Sequence, residues 1–84
     1  MYSVLLERAA EKDLSRLSAE MHERAIAAIQ GLAQHPRPPG CRKLAGTKND
    51  WRIRVGECRV IYEIADAIRT VRVNRVRHRG EVYR

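Results

Sequence analysis

Residues 51–62 alternate with a period of two. Trp51, Ile53 and Val55 are apolar, Arg52 and Arg54 lie between them, and after Gly56-Glu57 the pattern resumes with Cys58, Arg59, Val60, Ile61 and Tyr62. Successive side chains of a strand point to opposite faces, so the apolar residues share one face and the arginines the other. Gly56-Glu57 reads as a two-residue hairpin turn with glycine first, which sets Val55 opposite Cys58, Arg54 opposite Arg59 and Ile53 opposite Val60. Upstream, Met1 to Glu7 alternates weakly and predicts a first strand. From Arg8 the period lengthens: Ala10, Leu14 and Leu17 form the stripe of a short helix. Ser18 is placed to cap a second helix, with Glu20 in its first turn. Its apolar face is Met21, Ala25, Ala28, Ile29 and Leu32, and His35-Pro36 closes it.

Pro36-Arg-Pro-Pro-Gly40 is a stiff connector. Beyond it Cys41 to Ala45 predicts a short edge strand and Gly46 to Asp50 a loop. Ala65-Asp66-Ala67 turns the chain into a last strand over Ile68 to Arg77. There Val71 and Val73 share a face and Val76 slips to the other, which predicts a bulge near Asn74-Arg75. The order makes a single α+β domain spanning 1–84: an N-terminal strand, a helical hairpin, then an antiparallel sheet of three to four strands. The helices cover one sheet face with the Met and Ile stripe in the core. Trp51 and Tyr62 are assigned to the core, and Arg52, Arg54 and Arg59 to the open face.

Charge gives that open face a meaning. Arginines directly opposite each other destabilise a ladder, so an anion is the missing partner. The net charge is +7, unevenly placed: Arg8, Lys12, Arg16 and Arg24 face five acidic residues in 1–36, whereas 37–84 carries thirteen basic residues against five acidic. Arginine dominates, and its planar fork suits phosphate, so the second half has the footprint of a nucleic-acid binder. No apolar run reaches the length of a membrane span and the first residues do not read as a signal peptide, so a cytoplasmic location is expected. Cys41 and Cys58 form no CxxC pair and have no clustered histidines; a loop thiol and a buried small residue are expected, with no metal or cofactor.

Five segments in order resemble the RelE/ParE superfamily of type II toxins, most of all its RelE-like mRNA interferases. They are the Ala-rich helix with Lys12-Asp-Leu14, the connector Pro36-Arg-Pro-Pro-Gly-Cys-Arg-Lys-Leu44 with Gly46, Trp51-Arg-Ile-Arg-Val-Gly56, Arg59-Val-Ile-Tyr62, and the tail Arg77-His-Arg-Gly-Glu-Val-Tyr83. The resemblance implies a RelE-like fold and a toxin that enters the ribosomal A site. There it cleaves mRNA without a metal, through attack by the ribose 2′-hydroxyl. The implied partners are the 70S ribosome, mRNA and a cognate acidic antitoxin with a DNA-binding end. By position, the family's active site maps to Arg52, Arg54, Arg59, Arg79 and Tyr83.

The chemistry of these residues fits that expectation. Charge builds on phosphoryl oxygens during such an attack, and Arg54, Arg59 and Arg79 suit its stabilisation, while Tyr83 suits stacking on a base. Arg42, Lys43, Lys48, Arg52 and Arg77 are expected to hold RNA or the ribosome. One departure matters: family members can carry lysine where this chain has Arg52 and Arg54, and arginine effectively cannot lose its proton. His78 or Glu81 is then the candidate general base. Two other readings stay open. One is a ParE-like inhibitor of DNA gyrase, which shares the fold; the other is a catalytically weak toxin homologue that binds RNA or the ribosome.

Overall fold

The computed structural model describes residues 1–78. The chain runs β1 (Ser3–Leu6), α1 (Arg8–Ser15), α2 (Ala19–Gly31), β2 (Arg42–Lys43), β3 (Asp50–Val55), β4 (Cys58–Ala65), a 3-10 turn (Asp66–Ile68) and β5 (Thr70–His78). The strands form one sheet in the order β1-β5-β4-β3-β2. The meander β2 to β5 is antiparallel, and β1 joins its far edge parallel to β5, with Val4 beside Val71 and Leu6 beside Val73. The result is an α+β domain with a five-stranded mixed sheet. The parallel partner of β1 was not part of the sequence reading.

The β3–β4 hairpin has the expected register: Val55 faces Cys58, Arg54 faces Arg59 and Ile53 faces Val60. Gly56 takes a left-handed φ of 58°, which glycine adopts without a Cβ penalty. The slip in β5 is a bulge. Ile61 pairs with Arg75 and Tyr62 with Val73, which leaves Asn74 as the extra residue and turns both Val73 and Val76 inward. Ile68, expected to begin the last strand, belongs instead to the 3-10 turn and is 71% exposed. Arg69, at a φ of 47°, closes that turn before β5 begins at Thr70.

Two short helices pack on one sheet face. Ala10 and Leu14 of α1 meet Ala25, Ile29 and Leu32 from the second helical segment, and below them lie Val60, Tyr62, Ile64, Val71, Val73 and Val76. Ser18 caps α2, its hydroxyl accepting from Met21 N–H at 3.2 Å. Tyr62 is fully buried, and burial pushes its phenol pKa up. Its hydroxyl donates to Pro36 O at 2.7 Å. Trp51 is only half-buried at the margin of the core, with the Arg37 guanidinium over its ring at 5.0 Å. Cys58 is buried and Cys41 half-buried.

The proline connector is tied down by side chains. Arg37 holds both carboxylate oxygens of Asp66, at 2.8 and 3.3 Å, and Tyr2 OH donates to the same carboxylate at 2.6 Å. Hydrogen bonds from Arg37 and Tyr2 hold the Asp66 carboxyl below its ordinary pKa. The connector, the β4–β5 turn and the chain start are thereby joined at one end of the sheet. The arginines of the open face cluster toward the other end.

Candidate functional site

Residues opposite each other in a ladder share a face, so the register defines the surface. Arg54 of β3 faces Arg59 of β4, and Arg59 faces Arg77 of β5. Their neighbours Val55, Cys58, Val60 and Val76 are all buried under the helices, so the three arginines stand on the opposite, open face. Ile64 N–H donates to Asn49 O, which places the hydrogen-bonded pairs of this ladder at odd positions of β3. Arg54 and Arg59 therefore form a non-hydrogen-bonded pair, the closer kind, with Cα atoms about 4.5 Å apart. A second row lies beside the first: Arg42 faces Arg52, Arg52 faces Ile61, and Ile61 faces Arg75.

Arg75 leaves this row by turning to α1. Asp13 is 6% exposed, and its carboxylate accepts from Arg75 Nε at 2.8 Å, Arg75 Nη2 at 3.1 Å and the Val76 N–H at 2.9 Å. Burial alone would raise the Asp13 pKa; the hydrogen bonds from Arg75 and Val76 outweigh it and hold the carboxyl below its ordinary value. Because β1 ends at Leu6, opposite Val73, no strand among the described residues covers the outer edge of β5 from the bulge onward. Asp13 caps that edge and fixes the segment that carries Arg77.

The remaining sequence-selected residues divide. Arg42 and Arg52 stand beside the Arg54–Arg59–Arg77 row. Lys43 faces Trp51 and so points to the other side of the edge strand, and Lys48 is exposed in the loop before β3, at the end of that strand away from Arg54. Arg79, Glu81 and Tyr83 lie outside the described residues. His78 faces Cys58, whose side chain is buried on the helix side, so the imidazole is on the opposite face from the arginine row. It lines a cleft of about 310 Å³ with Asp13, Arg16, Leu17, Met21 and Val76.

Some residues escaped the sequence reading. A Cβ on Gly56 would stand 2.9 Å from Met21 Cε and 3.1 Å from Arg24 Nη1, so Arg24 lies against the hairpin tip, at the same end as the arginine row. The spacing of Arg24 from Met21, one helical turn, is its only signal in the sequence. Asp50 and Glu63 face each other across β3 and β4, with Arg72 beyond, so the open face carries carboxylates as well. Glu63 is four residues along β4 from Arg59, about 13 Å away at strand spacing. Within the row itself the chemistry is that of fixed cations: it can hold phosphate and stabilise developing negative charge, and its guanidiniums do not serve as a base.

The ParE toxin family of type II toxin–antitoxin systems, parDE, matches residues 4–83. The chain belongs to this family. Solved toxins of the RelE/ParE superfamily share its fold. The archaeal RelE–RelB complex from Pyrococcus horikoshii is 26% identical, with 94% of this chain and 96% of that one covered and a TM-score of 0.83. The RelB–RelE antitoxin–toxin complex from Methanococcus jannaschii is also 26% identical, with 94% of each chain covered and a TM-score of 0.79. The isolated E. coli RelE toxin is similar in fold, at 24% identity, 99% and 92% coverage and a TM-score of 0.81. No curated protein matches the sequence. The protein is a type II toxin of the RelE/ParE superfamily. Among the described residues, no helix is long and apolar enough to cross a membrane.

Proposed function

We propose that this toxin is a ribosome-dependent endoribonuclease that cuts mRNA in the ribosomal A site by 2′-hydroxyl attack on the adjacent phosphate. The observation that carries the reading is the Arg54–Arg59–Arg77 row, three like charges side by side on an open sheet face. Such a row suits a phosphate whose charge grows in its transition state. Arg54 and Arg59 stabilise the charge that develops on the phosphoryl oxygens, together with Arg79. Tyr83 stacks on a base. Arg42, Arg52 and Arg77 hold the RNA backbone, with Lys43 and Lys48 as outlying contacts to the ribosome. The reaction needs no metal. Guanidiniums do not serve as a base, so the row must borrow alignment, and the ribosome supplies it by holding the messenger in line.

The partners in this reading are the 70S ribosome, mRNA in the cytoplasm and a cognate acidic antitoxin with a DNA-binding end. The Pyrococcus and Methanococcus relatives are known in complexes with RelB. A second reading, inhibition of DNA gyrase, draws on the ParE description of the matching family. The two separate after induced expression. Mapping of RNA 5′ ends should show new cuts within translated codons while plasmid supercoiling stays normal. Purified toxin should cut mRNA on ribosomes and cut naked RNA poorly, although it binds RNA with a steep salt dependence. Intact messengers with loss of supercoiling would replace the ribonuclease by the gyrase inhibitor.

A further inference from the structure

We infer that Asp13 is a positioning residue for the reaction: by holding the Val76 N–H it sets Arg77 in line with Arg59 and Arg54 on the open face. The inference rests on the ribonuclease reading above, in which Arg77 holds the RNA backbone. Asp13 belongs to α1 and acts through β5.

Arg77 depends on such a hold more than its two neighbours do. Arg54 and Arg59 belong to one hairpin, whose register is fixed by the turn at Gly56. Arg77 comes from β5 shortly beyond the bulge at Asn74, and a bulge breaks the ladder locally and lets the strand bend. Arg59 and Arg77 are directly opposite, so their charges push the two strands apart. On the outer side of β5, β1 stops at Leu6, opposite Val73, and beyond that point the Asp13 carboxylate takes the Val76 N–H at 2.9 Å. Because the Val76 N–H points to that edge, Val76 and Val60 are a non-hydrogen-bonded pair, and Arg77 exchanges its backbone hydrogen bonds with Arg59. Arg77 is therefore fastened to β4 by its own backbone, and from the other side by the peptide group just before it.

The carboxylate is itself aimed. Its Oδ2 accepts from Arg75 Nε at 2.8 Å as well as from the Val76 N–H, and its Oδ1 accepts from Arg75 Nη2 at 3.1 Å. A planar guanidinium that takes both oxygens fixes the plane of the carboxylate and keeps Oδ2 turned to the strand. Asp13 is 6% exposed, and Ala10 and Leu14 of the same helix are in the core, so the anchor moves with the core rather than with a surface side chain. The pair also sorts two arginines that are two residues apart on one strand. Arg75 is drawn over the edge to α1, and Arg77 stays beside Arg59.

The test asks how much Arg77 contributes with and without this hold. Affinity for a short single-stranded RNA oligonucleotide and the half-saturating ribosome concentration in single-turnover cleavage are measured for wild type, Asp13→Ala and Asp13→Asn, each with and without Arg77→Ala. Arg77→Ala should weaken both about tenfold in wild type, and about twofold or less beside Asp13→Ala. Asparagine keeps an oxygen for the Val76 N–H, so beside Asp13→Asn the effect of Arg77→Ala should return to most of its wild-type size. Any contact that Arg75 gains on losing its anion enters both arms of the cycle and cancels. Asp13→Leu fills the same space with an apolar group in a good helix former, and it takes the place of Asp13→Ala should that variant fold poorly. A purely structural role would lower the amount of active toxin and leave the effect of Arg77→Ala unchanged. The same effect with and without Asp13, or no effect in an active wild type, would overturn the inference while the ribonuclease reading stands. Wild-type toxin that neither cuts on ribosomes nor binds the oligonucleotide would sink that reading and this role with it.

Discussion

Asp13 of α1 and Arg75 of β5, sixty-two positions apart, hold each other at 2.8 Å beside the β5 bulge, and the same carboxylate accepts the Val76 N–H at 2.9 Å. One buried group thus closes the edge of β5 and joins the helix layer to the strand that carries Arg77. Asp13→Ala would leave the Val76 N–H without its partner and Arg75 without its anion. The expected cost is about 2 kcal/mol, below the range for a fully buried pair because Arg75 is 40% exposed. The pH dependence has a definite sign. A carboxyl held below its ordinary value stabilises the fold above its unfolded pKa, and the ordinary value is 3.8. The Asp13 contribution should be complete at neutral pH and fade as pH falls below about 4 toward the lowered folded value. Denaturant unfolding of wild type and Asp13→Ala at pH 7 and pH 3 should show the two converging in acid; a constant gap would refute the linkage.

Gly56→Ala should destabilise the toxin by about 1–2 kcal/mol, because a left-handed φ of 58° is costly for any residue with a Cβ. Its second penalty is the approach to Met21 Cε, the free end of a flexible side chain that can move away. The backbone term should therefore dominate. In a thermal-unfolding double-mutant cycle Met21→Ala should recover little of the loss, and a large recovery would locate the cost in the contact instead.

The hairpin was legible in the sequence because two independent signals agree: the period-two pattern fixes the faces, and Gly56 fixes the register. The bulge was legible for a similar reason, since Val71, Val73 and Val76 can all be buried only if one residue is skipped. β1 carried no such information. Four residues alternate as well against one partner as another, and its pairing with β5 is decided by tertiary packing. The edge cap escaped because Asp13 reads as an ordinary helix-surface acid until the termination of β1 exposes the Val76 N–H. The arginine row itself was partly legible, with Arg54 and Arg59 opposed as expected, while the addition of Arg77 required the bulge to be placed. Once that bulge is counted, the same register puts His78 opposite Cys58, on the helix side.

That position sets an expectation for His78. The arginine row and the imidazole stand on opposite faces, so His78→Gln should leave the pH–rate profile of the chemical step unchanged. The measurement is single-turnover cleavage on saturating ribosomes across pH 5–9. Loss of an acidic limb in the glutamine variant would return the role of base to His78.

The arginine row should reveal itself through opposite effects on stability and activity. Arg54 faces Arg59 across a close pair, so Arg54→Thr removes a like-charge contact and introduces a good strand former. We expect a gain of about 0.5 kcal/mol in unfolding free energy together with loss of toxicity, the trade expected of a charge kept for function. Arg59→Ala should lower the single-turnover cleavage rate about a hundredfold and weaken ribosome binding far less, because its guanidinium acts on charge that appears only in the transition state. Arg42→Ala, at the exposed edge of the second row, should do the reverse: weaker binding, a shallower salt dependence and a nearly normal rate at saturation. Equal losses of rate and binding in Arg59→Ala would make the row a docking surface rather than the reaction centre. A drop in stability for Arg54→Thr would mean that the arginine supports the sheet, and the argument from like charges would fail at its first step.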